Sequence, residues 1–381
     1  MRFLLSFIIF LASFTASAHR EDNYFLKGLF GTRQVGIRID EYSNICYARY
    51  FFMEDRKDHV MEGNILPDST FVLNAYRWDS ARNQKIVTET LIVRHRENHQ
   101  WEGTWNPGTG DFDVFLYPIS SDPGYDQDTI LNPEFSELYF DPYSYLRTAD
   151  LKFKELKTSR IGKGLKVKWV MEPVSGIKMF RVVQGWKNRQ DFTLINKLLT
   201  TQHRKIVNDK LSCSYIYETG DFEFNCKIRY LDNYLVSYSM TSTSSCFGGN
   251  PELNTVSETR SMQSGDKFIL EDLIWFGEGP PPTCREGSQD WFKYRYQVFG
   301  DSILNILKKI YPDKFTGPVE NDCHYNQTRN WQFPEWHFTG DGLHVGSRSV
   351  SENRKCDNQD WSVIPWKYLE KYLVPGTWSK D

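Results

Sequence analysis

Near the end of the chain stand three histidines, His324, His337 and His344, with Asp322, Glu335 and Asp341 beside them. Two-residue spacing along a strand puts Asp322 with His324, and Glu335 with His337, on common faces. Imidazoles oriented by carboxylates are the ligand set of zinc hydrolases. The competing reading makes these residues polar positions on the solvent side of strands. We adopt it, and expect neither metal nor cofactor. Paired carboxylates for glycoside hydrolysis could be drawn from Glu172, Glu223, Glu258, Asp266, Glu271 and Asp272. Any β-rich chain offers as many, and Asp266 suits the Ser264-Gly-Asp266 turn. No Gly-x-Ser-x-Gly elbow or His-Glu-x-x-His motif occurs, and Arg160-Ile-Gly-Lys-Gly-Leu165 matches neither phosphate-loop nor dinucleotide spacing. An enzyme is therefore not expected. A metal-dependent envelope hydrolase using the His324/His337/His344 region is the alternative.

Seven cysteines are read first as disulfides if the chain is exported. Cys213, Cys226, Cys246, Cys284, Cys323 and Cys356 lie in the C-terminal half, with Cys46 far upstream. Cys213 and Cys226 flank a turn at Thr219-Gly220-Asp221, as opposed hairpin positions do. Cys284 and Cys323 bracket a predicted helix, which leaves Cys246 to join Cys356. No Cys-x-x-Cys or Cys-x-x-His pair supports a metal site. Cys46 reads as a buried thiol.

Aromatic side chains are the other candidates for chemistry, here recognition. The chain has 12 Trp, 21 Tyr and 26 Phe, a content that suits β-rich cores and also surfaces that stack on sugars or anchor protein partners. Trp331 and Trp336 are the candidate contact residues among the C-terminal tryptophans. The turn residues Gly248, Gly249, Asn250 and Asn254 join them.

These groups must be positioned by elements that the hydrophobic pattern outlines. Residues 1–18 have the layout of a secretory signal: Arg2, an apolar run from Phe3 to Phe14, and Ala16-Ser-Ala18. Its removal takes the formal charge from −3 to −4, a mildly acidic protein with no basic excess for nucleic acid. No later stretch has the length and apolarity of a membrane span. From 19 to 119, short alternating strands separated by turn clusters predict an all-β meander or small sandwich. Within it, Trp101-Glu-Gly-Thr-Trp105 sets two tryptophans on one strand face. Residues 120–150 are acidic and turn-rich and read as a linker. From 151 to 381 we expect an α+β domain, an antiparallel sheet with two or three helices packed on one face. One helix follows Asp191 as N-cap, carrying Phe192, Ile195, Leu199, Gln202 and Ile206. Another runs from Ser288 to Tyr311, with Gly300 as a kink and Pro312 as its stop. A short amphipathic helix from Pro365 to Tyr372 closes the chain.

The order of several C-terminal segments is distinctive: Cys246-Phe-Gly-Gly-Asn-Pro251, a strand-like run ending Phe268-Ile-Leu-Glu-Asp-Leu273, then Trp336-His-Phe-Thr-Gly-Asp-Gly-Leu343 and Ser362-Val-Ile-Pro-Trp-Lys-Tyr-Leu369. Together with Glu172-Pro-Val-Ser-Gly-Ile-Lys-Met-Phe-Arg181, they resemble a family of extracytoplasmic α+β domains of unknown function. Those domains occur in RsiV-type anti-sigma factors and beside PdaC-type polysaccharide deacetylases. Many relatives carry Gly-Gly-Ala-His-Pro-Asn at the glycine turn, whereas Gly248-Gly-Asn-Pro-Glu-Leu-Asn254 lacks the histidine. The resemblance implies a non-catalytic module, periplasmic or secreted in a Gram-negative-type envelope. Its partner would be a peptidoglycan-like glycan or a lysozyme-like protein.

Overall fold

The structure, a computed structural model, describes residues 21–119, 138, 140–161, 165–184, 191–214, 220–246, 250–279, 281, 286–316, 323–348 and 356–376. The signal segment, the acidic stretch 120–137, Gly248, Gly249, Cys284 and Asp322 lie outside the described residues. The chain divides into two compact units: Met1–Gly124 with Asp141–Leu146 and Ser214–Glu218, and Tyr125–Phe140 with Arg147–Cys213 and Thr219–Asp381.

Eight strands build the first unit: β1 (Glu21–Phe30), β2 (Arg33–Tyr42), β3 (Ile45–Phe52), β4 (His59–Ile65), β5 (Thr70–Asp79), β6 (Gln84–His95), β7 (Trp101–Asn106) and β8 (Phe112–Pro118). Each pairs antiparallel with the next. β8 then returns to β1, from Leu26↔Pro118 to Phe30↔Val114, and closes a barrel. Period-two alternation sends Val35, Ile37 and Ile39 of β2, Ala48, Tyr50 and Phe52 of β3, and Leu91 and Val93 of β6 inward, where they are buried. Eight strands leave an interior that side chains can fill. Here aromatic rings fill it: Phe71 lies 5.0 Å from Trp101, and Phe30 lies 5.5 Å from Trp105.

Gly63 and Gly103 sit where the neighbouring backbone passes very close. A Cβ at either would lie 1.8 Å from a carbonyl oxygen, that of Val72 or of Ile92. Only glycine permits that approach. The meander expected from the sequence is present, but it is a closed barrel and not a sandwich. Alternation is the same in open and closed meanders, and only the β1–β8 register tells them apart.

Part of the expected linker is also folded. In the helix α1 (Pro142–Thr148), Tyr143 is buried, its hydroxyl donating to Asp58 Oδ1 at 2.7 Å and its ring meeting Phe51 at 5.0 Å.

In the second unit one antiparallel sheet was expected, and three separate three-stranded sheets form: β9 (Lys154–Ile161), β10 (Leu165–Met171) and β11 (Lys178–Gln184); β12 (Phe222–Leu231), β13 (Leu235–Ser244) and β14 (Glu252–Ser261); β15 (Glu335–Phe338), β16 (Gly342–Gly346) and β17 (Val363–Pro365). A long helix, α2 (Thr193–Leu211), separates the first two sheets along the chain. It packs Ile195, Leu199, Val207 and Leu211 against Val167, Phe180, Val236 and Tyr238. Its N-cap position is Phe192 and not Asp191 as expected; Asp191, one residue earlier, accepts from Thr193 N at 2.9 Å.

The helix expected from Ser288 is real but compound: α3 (Gln289–Tyr294), a π-helical turn Arg295–Phe299, and α4 (Gly300–Ile310). Gly300 begins α4 because the turn Thr328–Trp331 crosses it closely. A Cβ there would meet Thr328 Cγ2 and Gln332 Cγ at 2.9 Å. The short helices α5 (Asp313–Thr316) and α6 (Trp366–Leu369) complete the unit. Trp366 holds α6 in place, stacked on Phe338 at 5.3 Å with its Nε1 donating to Gly340 O at 2.9 Å.

The cysteine pairings differ from those expected. Cys213 bonds to Cys246, and Cys323 to Cys356. The β12–β13 ladder opposes Phe222 to Ser244, so the chain entering β12 and the chain leaving β13 meet at the open end of the hairpin, where Cys213 and Cys246 sit. Cys226 is instead a buried free thiol turned into the core of α2 and the adjoining sheets, and Cys46 is a second one inside the barrel. Burial pushes both thiols up to about 12, with help from Glu258 at Cys226 and Glu41 at Cys46. Disulfides suit an oxidising, extracytoplasmic compartment. Among the described residues no helix is long and apolar enough to cross a membrane.

A buried polar network ties α2 to β13 and β14. Glu258 accepts from Tyr238 OH at 2.6 Å, Arg260 Nε at 2.8 Å and Gln202 Nε2 at 3.0 Å. Burial alone would raise the carboxyl's pKa, but Arg260 and these hydrogen bonds outweigh it and hold Glu258 below the ordinary range.

Candidate functional site: an aromatic groove in the second unit

Three pieces of chain meet around a groove of about 450 Å³. The middle of β14 supplies Val256 and Ser257, and the chain beyond it supplies Lys267 to Leu270. The start of the compound helix supplies Trp291, Phe292 and Arg295. The segment entering β15 supplies Phe333 to Trp336, and Arg348 follows β16.

Ser288 starts the helix by accepting from Trp291 N at 3.3 Å, the ordinary role of an N-cap serine. Trp291 is thereby buried behind the rim. Phe292 and Tyr296, four residues apart, share the outer face of the helix and are 41% and 54% exposed. Phe333 reaches this helix from the other segment, 5.8 Å from Phe292, 5.3 Å from Tyr296 and 5.4 Å from Trp291. The result is a wall of four rings, two of them open to solvent.

Arg295 fixes this wall from beneath. Its guanidinium lies 5.0 Å from the Trp291 ring centroid and 4.0 Å from that of Phe299, and its Nε is 2.6 Å from Glu271 Oε1. Both partners of that ion pair are buried, so its charge is matched inside the protein. The π-helical turn begins at Arg295; such turns often lie beside functional sites.

Glu335 lines the groove as well. Its Oε2 accepts from Ser257 N at 3.0 Å, and its Oε1 accepts from Arg348 Nη2 at 3.1 Å. The Glu335 side chain is 17% exposed and that of Arg348 58%. Burial raises the Glu335 carboxyl above its ordinary range, and the Ser257 hydrogen bond and Arg348 recover only part of that. Lys267 and Glu286 line the same space.

His337 and His344 are buried, not on a solvent face as expected. They are cross-strand partners on β15 and β16, with rings stacked 4.4 Å apart. His344 Nε2 lies 2.8 Å from Gln359 O, and His337 Nδ1 lies 3.4 Å from Ser257 Oγ. Burial, with His344 adding to it, lowers His337 to about 3. An imidazole so depressed is neutral at physiological pH and a weak base. His324 is exposed. Among the described residues no three His, Cys, Asp or Glu side chains are grouped to hold a metal ion.

Of the contact residues expected from sequence, Trp336 lines the groove, whereas Trp331 does not. Trp331 is fully buried in the second unit's other core, its Nε1 donating to Tyr325 O at 2.8 Å. Asn250 and Asn254 are exposed, and neither lines the groove. β14 thus carries Asn254 near one end and contributes its middle to the site. Sequence reasoning missed Phe292, Phe333, Lys267 and Arg348. Phe292 and Tyr296 left a usable signal, two aromatics four apart on the polar side of an amphipathic helix.

No family model matches the chain, and no curated protein matches it. Among solved structures it is similar to the crystal structure of a DUF3298 family protein from Pseudomonas aeruginosa PAO1. The identity is 12%, the match covers 61% of this chain and 98% of that one, and the TM-score is 0.27, too loose a superposition to bear on fold or function.

Proposed function

We propose that the protein is a non-catalytic recognition protein of the cell envelope, periplasmic or secreted, whose second unit binds a peptidoglycan-like glycan or a lysozyme-like protein in the aromatic groove. The observation that carries this reading is that Trp291, Phe292 and Phe333, with Tyr296 packed on Phe333 just outside, line the same groove of about 450 Å³ as the Glu335–Arg348 pair. Rings of this kind stack on the C–H faces of sugars, and fixed charged groups hydrogen-bond hydroxyl and acetamido groups. The glycan is the better occupant. A cationic protein calls for an acidic surface, whereas Lys267 and Arg348 here accompany Glu286 and Glu335.

Ser257 and His337 do not argue for catalysis, because a neutral, buried imidazole is poorly placed to activate a hydroxyl. The metal-hydrolase alternative requires His324, His337 and His344 to converge, but two of them stack on each other and the third faces solvent.

Co-sedimentation with insoluble peptidoglycan and calorimetric titration with lysozyme test the proposal. We expect sedimentation that the double variant Phe292→Ala/Tyr296→Ala abolishes. Absence of binding in both experiments would overturn the recognition reading, and stoichiometric zinc lost on His337→Ala would favour the hydrolase.

A further inference from the structure

The charges lining the groove come in opposed pairs. Arg295 is matched internally by Glu271, which leaves Lys267 and Arg348 on one side of the account and Glu286 and Glu335 on the other. A ligand of one sign would leave half of these groups facing their own charge. A ligand with both signs close together would not, because it could enter between Glu335 and Arg348. It would replace one ion pair at 3.1 Å by two charge-assisted contacts. Arg348 can make the exchange, since its side chain is more than half exposed, whereas Glu335 is held in place by Ser257 N.

We propose that the groove takes an amino-acid terminus, an ammonium and a carboxylate on one carbon, at the end of a short peptide borne on a glycan. Glu335 accepts hydrogen bonds from the ammonium and Arg348 donates to the carboxylate, while the aliphatic stem lies against Phe333 and Phe292. This inference rests on the recognition reading above and names the part of the ligand that the groove grips.

Calorimetry with the full chain tests it, using three probes: N-acetylmuramyl tripeptide ending in meso-diaminopimelate, the same compound acetylated on its free amine, and the uncharged glycan chitotetraose. Acetylation removes one charge-assisted contact and should weaken binding roughly tenfold to a hundredfold. Glu335→Gln, which keeps the shape needed at Ser257, should erase that discrimination. Arg348→Gln, at an exposed side chain, should weaken both muramyl probes and serves as the second variant if Glu335→Gln does not fold. Equal affinity for the free and acetylated peptides would overturn the inference. Binding of chitotetraose without the muramyl tripeptide would overturn it too, while leaving the recognition reading intact. No heat with any of the three probes would remove this inference together with the glycan as occupant, and the lysozyme titration then decides the recognition reading.

Discussion

Replacing Glu258 by Gln should destabilise the second unit strongly at neutral pH and hardly at all in acid. Glu258 receives three hydrogen bonds, and one comes from Arg260, whose side chain is 2% exposed. The amide keeps the size of the carboxylate but turns a donor toward donors and leaves the guanidinium without its counter-charge. Breaking a buried ion pair from one side costs about 3–5 kcal/mol, and the retained Gly265 contact of Arg260 points to the lower end. A loss of about 3 kcal/mol corresponds to a melting shift of about 6–12 °C.

The pH dependence follows from the direction of the Glu258 shift. Its folded-state pKa is lowered, so its contribution is complete above the unfolded carboxyl value, roughly 4.3. It disappears as pH falls through the folded-state value. Wild type and variant should therefore converge as pH falls below the ordinary carboxyl range and through that lowered value. Urea unfolding followed by hydrogen exchange reads this directly, with β12–β14 peptides reporting and β1–β8 peptides as internal control. A variant as stable as wild type at neutral pH, or a difference that persists unchanged in acid, would refute the role given to the network.

Three further outcomes follow from the packing. Gly103→Val drives a side chain into the Ile92 carbonyl and should destabilise the barrel by about 3 kcal/mol, lowering protection of β6 and β7 in hydrogen exchange. Each disulfide closes a loop of sequence separation 33, worth about 4 kcal/mol by loop entropy; dithiothreitol should lower the urea midpoint of the second unit and leave that of the barrel unchanged. Cys46 and Cys226, buried and with raised pKa values, should resist iodoacetamide in the native protein and react after unfolding, as peptide mass mapping will read.

The sequence displays the barrel's strands plainly because each buries one face, and alternation at Val35, Ile37 and Ile39 records that burial directly. Closure was not legible, since it depends on β1 meeting β8 across almost the whole unit. The long helices were legible from their apolar spacing, and even the break at Gly300 had a marker. The division of the C-terminal strands into three sheets had none, because pairing partners are chosen by packing against α2 and the compound helix. Disulfide pairing failed for a local reason: Cys226 looks like a hairpin partner of Cys213, yet it occupies an inward position of β12. Trp336, expected as a contact residue for its aromatic ring alone, lines the groove. Trp331, only five positions earlier, looks the same in sequence and lies wholly in the core. At His337 the two-residue spacing from Glu335 marks a shared strand face but not which side of the sheet that face takes, and only the β15–β16 pairing reveals that His344 meets it in the interior.

The central claim is that the aromatic wall binds an envelope glycan. Calorimetric titration of soluble peptidoglycan fragments into wild type and Phe333→Ala tests it most directly, because Phe333 touches Trp291, Phe292 and Tyr296. The account predicts saturable binding to wild type and an affinity at least roughly tenfold weaker in the variant. Equal affinity in the two proteins, or no binding to wild type, would contradict it.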